Sequence, residues 1–189
     1  FGQVREQVIL EATWLGNYEP FYMMPVCSYI GELMEKSGQH SLIRQYEMAP
    51  FQIQVLSKER TFCEKVMSLV RFSKSATPIV DLRNKVRHIY DIHQMLKDTD
   101  ISSFFEASDF NVLLQKVGRD DVISFKNNNH WLSDHPSTAI IFALAPATWA
   151  QLRSEYNGNF RDLVTGTFPA EEEVVHTLQK VAMRLQSIE

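Results

Sequence analysis

Cysteine is nearly missing. Cys27 and Cys63 stand far apart with no Cys-x-x-Cys between them, which argues against a disulfide framework and a structural zinc site and points to a reducing cytoplasm. Glycine-rich phosphate loops are missing too: there is no Walker A pattern and no dinucleotide-binding glycine pattern. No signal peptide and no 18-residue apolar run occur; the most apolar stretch, Ala139–Ala145, is too short to span a membrane. Positive charge is not in excess. The net charge of −4 makes general nucleic-acid binding unexpected, so any phosphate contact must be local. Asp134-His135 has no serine in a Gly-x-Ser-x-Gly turn to serve, and His88 and His93, five apart, do not share a helical face for a metal. An initiating methionine is also missing, and the chain opens at Phe1 inside the lead-in to a strand, so we expect a fragment of a longer protein.

What is present suits one globular domain, or one and a half, with a sizeable core: 44% of the 189 residues are hydrophobic and 22% charged. The chain is organised around Glu59–Asp98. In Asp81–Leu96, helical periodicity puts Leu82, Val86, Ile89, Tyr90, Ile92, His93 and Leu96 on one face, and Arg83, Arg87, Asp91 and Gln94 on the other. Arg87 and Asp91, four apart, can pair for about 0.2–0.5 kcal/mol. Either this is a solvated polar face, or a row of cations beside one carboxylate suited to phosphate. In Glu59–Arg71, Phe62, Val66, Leu69 and Val70 form an apolar stripe widened by Cys63 and Met67. Lys65 lies at its edge, where a lysine either snorkels to water or is held against an anion.

These two segments resemble motifs of one family. Arg60-Thr61-Phe62-x-Glu64-Lys65 with Leu69 is similar to the third motif of the AbiEii/AbiGii abortive-infection toxins, nucleotidyltransferases of the polymerase-β superfamily. Arg87-His88-Ile89-Tyr90-Asp91-Ile92 resembles the fourth, usually Lys-Asp-x-Tyr-Asp-Leu, with Arg87 in place of lysine and His88 in place of aspartate. The resemblance implies a catalytic or nucleotide-contacting role for Lys65, a catalytic polar role for Asp91, and phosphate contact by Arg87. It implies transfer of a nucleotide from a nucleoside triphosphate (NTP) to an acceptor, with magnesium, by a cytoplasmic bacterial toxin opposed by a cognate antitoxin. The superfamily's metal-binding acids follow a Gly-Gly or Gly-Ser dipeptide, which this sequence lacks. The main ligands are therefore expected outside this chain. The fragment alone is expected to be inactive.

Gln7–Leu15 alternates as a strand and carries Glu11, the one candidate here for a third acid near the metal; its other reading is an exposed polar strand position. Gly16–Pro20 reads as a turn, and Val26–Glu35 as a short helix or a strand. Phe51–Leu56 alternates cleanly as a strand that feeds the first motif helix through Ser57 as N-cap. Helices are expected at Ser102–Ser108, Asp109–Gly118, Pro146–Tyr156 and Pro169–Ile188, with a loop at Asn127–His130. Asp98-Thr-Asp100 and Asp120-Asp121 read as helix-end residues rather than metal pairs.

The expected fold is therefore α+β. A small mixed or antiparallel sheet remnant of a nucleotidyltransferase core, residues 1–100 with both motif helices, is followed by a helical region over 101–189. A rival reading is a non-catalytic helical protein-binding module, in which Lys65, Arg87 and Asp91 are ordinary surface residues; a family member that has lost catalysis is another. Convergence of Lys65, Asp91 and Glu11 on one cleft separates the two classes.

Overall fold

The computed structural model describes residues 17–124 and 133–188. The expected strand at Gln7–Leu15, with Glu11, and the expected loop at Asn127–His130 lie outside the described residues. The first elements form a ribbon: β1, Phe21–Val26, pairs antiparallel with β2, Phe51–Leu56. Directly opposed residues share a face. Tyr22 faces Val55, Met24 faces Ile53 and Val26 faces Phe51, so one side of the ribbon is wholly apolar, and each of these six side chains is at least 36% exposed.

Between the strands run two short helices, α1, Tyr29–Lys36, and α2, His40–Gln45. The Ser28 hydroxyl caps α1 by accepting from the Gly31 amide at 3.0 Å. Gly31 is required by close approach: a Cβ there would meet Cys27 Sγ at 2.6 Å and the Met48 carbonyl at 2.8 Å.

Ser57 then starts α3, Lys58–Ser73, its hydroxyl accepting from the Arg60 amide at 3.1 Å, as its place before the periodic run suggests. Phe62, Cys63, Val66, Met67, Leu69 and Val70 are all buried. This apolar stripe is buried because several neighbouring helices pack on it. α4, Pro78–Arg83, and α5, Val86–Met95, pack on it, as do α6, Thr99–Glu106, α7, Ser108–Ser124, and α8, Ile140–Ala143. α9, Ala145–Glu155, and α10, Glu171–Gln186, complete the core, which runs continuously from Phe62 to Ile188. The architecture is α+β: among the described residues, a two-stranded antiparallel sheet with a mainly helical body. No helix of the described residues is long and apolar enough to cross a membrane.

Three details depart from the sequence expectation. The helix expected over Asp81–Leu96 is two helices, broken at Asn84-Lys85, where the Lys85 amide donates to Leu82 and the His88 amide to Lys85. Those tight turns keep Leu82 and Val86 both inside, so the apolar period runs through the break and conceals it. The ambiguous Val26–Glu35 stretch resolves into the last residue of β1 and helix α1. Asp120 and Asp121 are not simple helix-end residues: they lie within α7 and receive Arg60 and Arg71 of α3 at 2.8 and 2.7 Å.

Candidate functional site

Helices α3 and α5 pack face to face, and their polar edges meet where the apolar stripe ends. Lys65 projects from α3 and Asp91 from α5. The Lys65 ammonium donates to Asp91 Oδ2 at 2.7 Å, with the two side chains 20% and 23% exposed. Of the two sequence readings of Lys65, the structure selects the one in which an anion holds it. Arg87, one turn before Asp91, brings its Nε to 3.9 Å from the same oxygen, and its side chain is 77% exposed. Asp91 is thus committed to Lys65, while the Arg87 guanidinium faces water at the mouth of the site.

His88 joins this cluster. Its imidazole is partly buried, and its Nδ1 is buried with no hydrogen-bond partner among the described residues. Burial, and then the positive charges of Lys65, Lys85 and Arg87, push its pKa down to about 4 against the opposing pull of Asp91. A neutral imidazole therefore sits among three cations. The sequence reading set His88 aside as a metal partner of His93 and placed it in the second motif where the family has aspartate, with no role of its own. The signal available was its place one residue after Arg87 and three before Asp91.

The rest of the first motif is scaffold. Arg60 is 1% exposed and donates to Glu64 Oε1, Asp120 Oδ2 and the Glu19 carbonyl, each at 2.8 Å. It ties the start of α3 to α7 and to the segment leading into β1, which fixes the helix that presents Lys65.

Glu11 lies outside the described residues, so only Lys65, Arg87 and Asp91 are seen to converge. Asp98 caps α6, accepting from the amides of Asp100 and Ile101, and pairs with Lys58 at 2.7 Å, so the Asp98-Thr-Asp100 spacing serves a helix start. Among the described residues there is no group of three or more His, Cys, Asp or Glu side chains placed to hold a metal.

Beside the Lys65–Asp91 pair opens a cleft of about 390 Å³, lined by Arg87, Tyr90, Asp91, Phe160, Leu163, Val164 and Thr165. A larger cavity, of about 560 Å³, lies elsewhere, under α7; its lining includes Asp134 and His135, the pair that lacks a serine to serve, and none of Lys65, Arg87 and Asp91. The smaller one touches two of these three, Arg87 and Asp91.

Comparison with known families matches residues 1–181 to the model described as nucleotidyl transferase AbiEii toxin, type IV TA system. Neither the curated proteins nor the solved structures give a match.

Proposed function

The chain belongs to the AbiEii nucleotidyl transferase toxin family of type IV toxin–antitoxin systems, and from that premise we propose that Lys65, Asp91 and Arg87 form the phosphate-handling part of a site that transfers a nucleotide from an NTP to an acceptor. The observation that carries this is the convergence of two cations, Lys65 from α3 and Arg87 from α5, on one carboxylate oxygen of Asp91. The Lys65 ammonium supplies positive charge where negative charge builds on the transferring phosphate. Asp91 holds that ammonium in one direction, so little reorganisation is needed when the phosphate arrives. Arg87 offers a planar set of donors suited to phosphate oxygens and is free to reach them. Reactions of this kind depend chiefly on positioning and charge stabilisation.

The family suggests a divalent metal. The described residues present no cluster that fits one, so no step here runs through a metal, and Glu11 is kept as the one proposed ligand of this chain. The toxin would act in a bacterial cytoplasm, in abortive infection, with a cognate antitoxin opposing it; the acceptor is a separate molecule.

A transfer assay with labelled NTP on the full-length protein tests this. Lys65→Ala should lower the rate by about 10²–10³, the range seen when one charge-stabilising donor is lost. Lys65→Ala and Asp91→Asn that both transfer at the wild-type rate would refute it and favour the non-catalytic binding module.

A further inference from the structure

The cleft beside the pair has a lining of mixed chemistry: a cation and a carboxylate from α5, two aromatic rings, two aliphatic side chains and a hydroxyl. Its rings are held in place. Tyr90 meets Phe160 edge-on at 5.3 Å and lies nearly parallel to Phe168 at 6.4 Å, and Arg161 sits over the Phe168 ring at 5.3 Å. The backbone after α9 is held too, because the Val164 amide donates to the Arg161 carbonyl at 3.1 Å. Gly166 then turns the chain away with φ +87°, a conformation that side chains rarely adopt. At about 390 Å³ the volume is that of a small-ligand site. The ligand that fits has a flat, half-apolar body and an anionic end.

Arg87 belongs to both halves of this arrangement. It lines the cleft, and it shares Asp91 Oδ2 with Lys65. We propose that the cleft holds the nucleoside of the incoming NTP, its base among Tyr90, Phe160, Leu163 and Val164, and its phosphates passing Arg87 toward Lys65. The proposal rests on the transferase reading above and names the part of that site that selects the nucleotide. Leu163 and Thr165 are exposed residues of the lining, so a larger side chain at either fills the cleft without disturbing the core.

The experiment is calorimetric titration of the full-length protein and its Leu163→Trp and Thr165→Trp variants with each of the four NTPs and with inorganic tripolyphosphate. Melting temperatures confirm that each variant folds. The expected result is tenfold or greater loss of NTP affinity in at least one filled variant, narrower discrimination among bases, and unchanged affinity for tripolyphosphate. Unchanged NTP affinity in both variants, with Lys65→Ala still losing it, overturns the cleft assignment and leaves the transferase reading standing. Equal loss of NTP and tripolyphosphate also overturns the assignment, because the cleft is then not reading the nucleoside. If the wild-type protein binds no NTP, the transferase reading and the cleft assignment fall together.

Discussion

Arg60 and Asp120, sixty residues apart, meet at 2.8 Å with the arginine side chain only 1% exposed, and so bolt α3 to α7. Removing one member of a buried pair leaves the other charged and undersolvated, which costs more than the pair itself contributes. Arg60→Met should destabilise the fold by about 3–5 kcal/mol, measured by urea denaturation. Adding Asp120→Leu should recover part of that loss. Equal stability of wild type and the single variant would show that the clamp contributes little.

His88 gives a pH signature. Its pKa in the fold is about 4, below the ordinary histidine value of 6.5, because burial and the cations Lys65, Lys85 and Arg87 disfavour the imidazolium. The unfolded chain therefore binds the extra proton first as pH falls. The stability attached to His88 is intact above about pH 6.5 and declines as pH drops toward 4. In melting temperatures taken from pH 7.5 to 4, His88→Gln should show a shallower decline than wild type. Parallel profiles would mean that the imidazole titrates normally.

The two cysteines should differ in reactivity. Cys63 is fully buried in α3, and burial pushes its thiol up, well away from the reactive thiolate. Cys27 is only partly buried. Brief iodoacetamide treatment of the native protein, read by mass spectrometry, should modify Cys27 and spare Cys63 until denaturant is added. Early modification of Cys63 would contradict the packing of α3.

Gly31 tests the small unit between the strands. An alanine Cβ would press on Cys27 Sγ and on the Met48 backbone, and the backbone cannot swing away as a side chain can. Gly31→Ala should cost about 1–3 kcal/mol, the range for overpacking, seen as a lowered melting temperature. A neutral or stabilising effect would show that α1 can move off the Met48 turn.

How much of this was legible in the sequence depended on distance along the chain. β2, the Ser57 cap, α3 and α10 follow from local period and capping. β1 was missed because Phe-Tyr-Met-Met-Pro-Val has no polar alternation and contains proline, which counts against a strand when only the sequence is read. The Lys65–Asp91 contact spans twenty-six residues. Periodicity shows that each residue borders an apolar stripe, but not that the two stripes meet; family resemblance supplied that link. Arg60–Asp120 and the Phe160–Thr165 side of the cleft were not legible at all. Nothing near either segment signals a partner sixty or more residues away.

The most direct test of the account is a thermal-shift titration of the full-length protein with NTPs, wild type beside Lys65→Ala. A ligand at one hundred times its Kd should stabilise wild type by about 2.7 kcal/mol. The account predicts that this gain disappears in Lys65→Ala while the ligand-free melting temperature stays near wild type. An undiminished shift in Lys65→Ala, or no shift with any NTP in wild type, would contradict it.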